Sequence, residues 1–234
     1  MNSSSNPSLS LEIVRTLQQR VRQIEGTDNT TVEQIVSSGC VAFDRFLPRG
    51  GLRRGSLVEW LSASCGSGAG TLALMAAREA SRAGGAIVVM DRKHWFYPPA
   101  AAALGVDLKN LILVRTTKEQ DEMWALDQAL RCPGVAAVWA PLDEKLDPRN
   151  FRRLQLAAES GTSIGLLLRP AKVRGQPSWS DLQISVTPRP SQNVDRRIVH
   201  VEILRCRGQI HNNVGVDLKL DRHQPQPLTH LRNV

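Results

Sequence analysis

The chain has 234 residues, 41% of them hydrophobic, enough to bury the core of one medium domain. It contains no apolar run long enough to cross a bilayer, and its four cysteines (Cys40, Cys65, Cys132 and Cys206) are scattered, which argues against a zinc site or disulfide framework and for a reducing compartment. The net charge of +8 arises entirely after Pro148: residues 1–148 carry 16 basic and 16 acidic side chains, and residues 149–234 carry 14 and 6, which points to a polyanion or acidic partner, against the plainer alternative of a solvated basic face.

In chain order, residues 1–9 are rich in Ser and Asn, lack the basic start and apolar core of a signal peptide, and are expected to be disordered. Ser10 opens a predicted helix that runs to about Glu25 and stops at Gly26. Val14, Leu17, Val21 and Ile24 form a narrow apolar seam on it, suited to docking on the body of the protein or to assembly with another chain. A short helix is predicted from Thr31, and Gly50, Gly51 and Gly55 bracket a turn. Strands and helices then alternate. Strands are predicted at Ser56–Leu61, Ala86–Met90, Leu111–Val114, Val135–Trp139 and Ile164–Leu168. Helices are predicted at Thr71–Ala80, Pro98–Leu104, Glu119–Arg131 and Pro148–Glu159. Apolar strands alternating with helices indicate a parallel sheet covered on both faces. After a polar loop at 170–179 come strands at Leu182–Val186, Ile198–Leu204 and Val214–Leu220 with no helices between them, expected to extend the sheet antiparallel. The expected domains are an N-terminal helix with its lead (1–27), an α/β core (28–221) and a flexible tail (222–234).

The stretch SLVEWLSASCGSGAGTL (Ser56–Leu72) organises the core. A strand, a glycine-rich turn and a helix start form the layout of a phosphate-binding loop. Laid on G-x-x-x-x-G-K-[ST], Ala63–Gly70 keeps only Gly68. Ala69 stands at the lysine position and Gly70 at the hydroxyl position, with Thr71 next to it. Ser67, Gly68, Ala69, Gly70 and Thr71 are therefore a phosphate cradle without its charge, or a tight turn that binds nothing.

Three segments, and more weakly a fourth, resemble the bacterial recombinase RecA. VSSGCVAFDRFLPRGGLRRGSLVEW (Val36–Trp60) is similar to the approach to its phosphate loop. DRKHWFYP (Asp91–Pro98) resembles the stretch after its second strand. LGVDLKNLI (Leu104–Ile112) resembles the segment at the same distance beyond it, and VHVEILRCRG (Val199–Gly208) is similar to the last core strand. The resemblance implies a RecA-like P-loop NTPase fold: an α/β protein with a mainly parallel sheet covered by helices and antiparallel C-terminal strands. It also implies vestigial ATPase positions at Asp91, Lys93 and Ala140. The glutamate that polarises the attacking water falls at Lys93, and the strand-end acid falls at Ala140. With Ala69 these changes remove phosphoryl-transfer chemistry, so no catalytic residue, cofactor or metal is expected.

Among RecA-like proteins with this defect the chain is most similar to the ImuA family, through SIGLLLRPA, PSWSDLQISV and VEILRCRG. That resemblance implies a cytoplasmic, nucleoid-associated accessory protein of SOS translesion synthesis in DNA repair. It would act with an ImuB-like Y-family polymerase subunit, an error-prone replicative-type polymerase subunit and RecA, and would reach DNA directly or through them. The alternatives are a SulA-like cell-division inhibitor and a divergent DNA-dependent ATPase using a lysine such as Lys93. Lys172, Arg174, Arg205 and Arg207 are the candidate DNA or partner contacts. Arg205 and Arg207, two residues apart on a strand, are expected on one face. His200 and His211 read as ordinary strand and turn residues. Trp60 and Trp139 read as core, Trp95 and Trp179 as loop residues available for stacking on a base or anchoring a partner.

Overall fold

A computed structural model of the chain describes residues 34–64, 66–143, 146–191, 197–208 and 215–220, and the backbone of 225–227. The expected N-terminal helix with Val14, Leu17, Val21 and Ile24 lies outside the described residues, as do Cys65 and His211.

The described chain begins with β1 (Ile35–Val36), α1 (Val41–Asp44) and β2 (Leu52–Arg53). β1 and β2 form a small antiparallel sheet, Ile35 opposite Arg53 and Val36 opposite Leu52. The helix predicted from Thr31 thus gives way to a strand by Ile35. The Asp44 carboxylate supplies the local reason: it accepts from the Ser38 N–H at 2.8 Å and from the Ser37 and Ser38 hydroxyls at 2.5 and 2.6 Å. These bonds hold Ser37–Ser38 in a turn over α1, and Ser and Asp side chains favour such turns over a helix interior. β1 then closes on Gly51, where a Cβ would come within 2.5 Å of the Val36 carbonyl oxygen.

The core follows in the predicted alternation: β3 (Leu57–Ser62), α2 (Ala69–Ser81), β4 (Ala86–Met90), α3 (Pro98–Ala103), β5 (Leu111–Val114), α4 (Glu119–Arg131), β6 (Val135–Pro141), α5 (Pro148–Gly161) and β7 (Ile164–Pro170). β8 (Leu182–Arg189), β9 (Arg197–Cys206), β10 (Gly215–Leu220) and β11 (Pro225–Pro227) complete a sheet of order β11-β10-β9-β8-β3-β7-β6-β4-β5. The pairs from β8 to β5 are parallel, and β9, β10 and β11 run antiparallel to their neighbours. This is the expected α/β architecture with two differences. β8, expected to be antiparallel, runs parallel to β3, because 171–181 carries the chain back across the sheet before β8 starts. Three residues of the expected tail, Pro225–Pro227, pair with β10.

Apart from Glu59 on β3 and Arg169 on β7, the central strands are apolar on both faces, as suits strands covered on both sides. On one face α2 packs with Val58, Trp60, Ile87, Val89, Ile184, Val201 and Leu218. Its sequence AGTLALMAAREAS is a strong helix former with small side chains, which allows close approach to the sheet. On the other face α4 and α5 cover Leu57, Val88, Met90, Val138 and Leu167.

Candidate functional site

The glycine-rich loop joins β3 to α2 at the carboxyl end of the parallel strands, where open α/β sheets place their ligand crevices. Gly68 caps α2 with φ +95, a left-handed conformation that favours glycine. A Cβ there would lie 2.9 Å from Leu220 Cδ1 and 3.1 Å from Val199 Cγ1, so it would also crowd the side chains of β9 and β10. The Ser67 hydroxyl is 2.8 Å from that of Ser62 and accepts from the Ala69 N–H at 3.4 Å. Ser67 and Ala69 are each 2% exposed. The Ala69 methyl group is thus buried in the hydrophobic core.

At the next residue the Trp139 indole N–H donates to the Gly70 carbonyl at 3.1 Å, and the Gly70 Cα faces the ring closely enough that a Cβ would sit 3.3 Å from Cζ2. Phe96 meets the same indole edge-on, centroids 5.6 Å apart. Where the motif would have a hydroxyl, an aromatic pair is packed on the first turn of α2. Sequence reading placed Trp139 in the core but had no signal for its hydrogen bond, which spans 69 positions.

Asp91, Lys93 and Ala140, the three positions expected to be vestigial, are all at this edge. Asp91 follows β4, is 2% exposed, and accepts from the Trp95 and Phe96 N–H groups at 2.7 and 3.1 Å and from Arg115 Nε at 3.3 Å. It shapes the turn that delivers Phe96 to Trp139. Lys93 pairs with Asp143 at 2.5 Å and lies 4.9 Å from the centroid of the Trp95 ring. Arg92 joins Glu122 at 2.7 Å and Asp143 at 2.8 Å. Hydrogen bonding from Lys93, and then from Arg92, holds the Asp143 carboxyl below the usual carboxylate range. Ala140 is fully buried inside β6, which continues to Pro141, past the predicted end at Trp139. At the three positions singled out from the sequence the structure thus shows a buried methyl group at Ala69, a cation paired with Asp143 at Lys93, and a second buried methyl group at Ala140.

The second candidate region lies on the α5 face of the sheet. Arg205 Nη1 donates to the Ser178 carbonyl at 2.6 Å, and Arg207 Nη1 is 3.9 Å from Asp181 Oδ1. Arg205 is the penultimate residue of β9, and Arg207 lies in the turn beyond it. Both line one cleft of about 480 Å³ with Pro148, Pro177, Ser178 and Trp179, but Arg207 lies beyond the strand, so strand alternation is not what brings the two together. Lys172 falls in a 3-10 turn after β7, and Arg174 Nη1 approaches Glu202 Oε2 at 3.9 Å. Neither lines the cleft.

Beneath this region is a polar cluster that sequence reading missed. Glu59, fully buried on β3, pairs with Arg169 of β7 at 2.8 Å and accepts from Ser178 Oγ at 2.6 Å, Ser180 Oγ at 3.0 Å and Gln183 Nε2 at 3.0 Å. It pins the 178–183 segment to the sheet. A lone acid inside the apolar run SLVEWL was the available signal, since a buried charge requires partners.

Among the described residues no group of three or more His, Cys, Asp or Glu side chains is placed to hold a metal ion, and no helix is long and apolar enough to cross a membrane. Residues 12–138 match the RecA N-terminal domain family. The chain is 33% identical over 137 residues to Protein RecA of Streptomyces venezuelae, covering 58% of this chain and 35% of that protein. It is 35% identical over 135 residues to Protein RecA of Rubrobacter xylanophilus, covering 57% and 38%. Against Protein RecA of Chlorobium chlorochromatii the figures are 32% over 150 residues, 64% and 41%. The chain thus spans roughly two fifths of the length of these relatives.

Proposed function

Because the chain belongs to the RecA N-terminal domain family, we propose that it is a RecA-shaped adaptor that has given up phosphoryl transfer and acts in damage-induced translesion synthesis, as an ImuA-type partner of an ImuB-like Y-family polymerase subunit. The observation that carries the non-catalytic part is the head of α2. Ala69 is buried at the lysine position, and the Trp139 indole is bonded to the Gly70 carbonyl. Lys93 and Ala140 support the same reading, because a cation and a methyl group cannot polarise water or hold magnesium. The ImuA-type role itself rests on the sequence resemblance.

The purified protein is expected to show neither steady ATP hydrolysis nor tight ATP binding, with or without single-stranded DNA. Ala69→Lys alone is expected not to create activity, since Lys93 and Ala140 remain. Sustained hydrolysis that disappears in Lys93→Ala would replace this reading with that of a divergent ATPase.

The adaptor reading also assigns the basic C-terminal third to DNA or to a polymerase-like partner. Changing Lys172, Arg174, Arg205 and Arg207 together to Ser separates the cases. If phosphates are the target, affinity for labelled single-stranded DNA falls for all sequences, and the salt slope drops by about one per lost contact. If an acidic protein is the target, association with an ImuB-like protein slows and DNA binding is unchanged. Unchanged affinity for both, at low and moderate salt, removes this region from the adaptor surface.

A further inference from the structure

The cleft on the α5 face combines an apolar floor with cations. Two prolines, Pro148 and Pro177, and the 43% exposed Trp179 line it with Arg205 and Arg207. The Arg152 guanidinium sits over the Trp179 ring, 5.1 Å from its centroid, and holds the indole in place. The segment that carries Trp179 is itself anchored, because Ser178 and Ser180 both donate to the buried Glu59. Arg205 is steadied by the Ser178 carbonyl and keeps further N–H donors. An indole stacked under Arg152 beside a hydrogen-bonded Arg205 guanidinium is thus formed before any partner arrives, which lowers the entropy lost on binding.

We propose that this cleft captures an acidic peptide segment of a partner protein, an apolar side chain of the peptide lying on Trp179 and the prolines and its carboxylates engaging Arg205 and Arg207. This deepens the adaptor reading by naming the chemistry that one of its surfaces recognises. Charge complementarity favours the acidic occupant: Arg152, Arg205 and Arg207 converge here, with Asp181 offsetting only part of their charge. A nucleic-acid strand would want a run of cations along its backbone and open ring faces for stacking. This cleft is short, and Arg152 already occupies one face of the indole. Tryptophan and arginine together are the side chains that dominate protein–protein contacts.

The test is fluorescence anisotropy of the full chain with a short labelled peptide of aspartate and glutamate ending in leucine and phenylalanine. A second peptide has serine in place of those two apolar residues, and a labelled oligothymidylate serves as the nucleic-acid probe. The acidic-apolar peptide is expected to bind more tightly than the serine peptide. Trp179→Ala is expected to weaken it about tenfold. Arg207→Glu, at an exposed position, is expected to weaken it at least as much and to remove most of the salt dependence, while Arg207→Lys retains part of the affinity. Circular dichroism shows whether each variant is folded, and Arg207→Glu decides the matter if Trp179→Ala is not. Absent peptide binding, equal binding of the two peptides, or folded variants that bind like the parent chain would overturn the proposal. So would variants that lose oligothymidylate and keep the peptide. Failure of the adaptor reading looks different: ATP hydrolysis appears while peptide binding stays intact.

Discussion

Glu59→Ala is expected to cost about 3–5 kcal/mol of folding stability, among the largest losses any single side chain here would produce. Arg169, 3% exposed, would lose its carboxylate partner in an interior where water cannot replace it. The hydroxyls of Ser178 and Ser180 and the amide of Gln183 would lose the same acceptor. The ion pair as a whole need not stabilise much relative to a greasy replacement, because desolvating both charges offsets most of their attraction. The double change Glu59→Leu with Arg169→Met is therefore expected to recover a large part of the loss. Urea unfolding of the three variants at unchanged m-value measures this. A loss under about 1 kcal/mol for Glu59→Ala would mean that the cluster does not hold the 178–183 segment to the sheet.

Gly161→Ala is expected to cost about 3 kcal/mol through overpacking. Gly161 ends α5 where it crosses the last turn of α4. A Cβ there would sit 2.0 Å from the Leu130 carbonyl oxygen and 2.7 and 2.9 Å from backbone carbons of Arg131. These are main-chain atoms, so no rotamer change relieves the clash. That carbonyl also accepts from Ser163 Oγ at 2.7 Å, which satisfies one of the open acceptors at the end of α4. Moving α4 aside would break this cap as well as the packing. Gly134→Ala is the control. It is exposed, and its Cβ would meet nothing nearer than Cys132 Sγ at 3.8 Å, so a change within about 0.5 kcal/mol is expected. Equal thermal midpoints for the two variants would show that the α4–α5 contact is looser than these distances indicate.

The strands β4 and β5 and the helix α4 begin and end where the residues alone place them. Each is bounded by an abrupt change from apolar periodicity to polar or glycine-containing sequence, and such signals are local. The same locality explains the misses. TTVEQIVSSG has a helical pattern, but Ile35–Val36 pairs with Leu52–Arg53 across a turn organised by Asp44. Nothing within ten residues reports that pairing. The direction of β8 was equally hidden, because it depends on where the 171–181 segment returns to the sheet.

What the sequence by itself determined is the α/β alternation, the family resemblance, and the residue types, Ala69, Lys93 and Ala140, that the resemblance sets against phosphate-transfer groups. These are properties of single residues and short windows, which chain order preserves. Only the tertiary structure decided what those residues touch. Strand order brings Trp139 of β6 onto Gly70 of α2 and Arg169 of β7 onto Glu59 of β3, pairs 69 and 110 positions apart. It also places Trp179 beside Arg152, Arg205 and Arg207. In a parallel sheet each neighbour is reached by a crossover, so contacts across it are set by topology and by the burial of charge, and neither leaves a periodic trace in the chain.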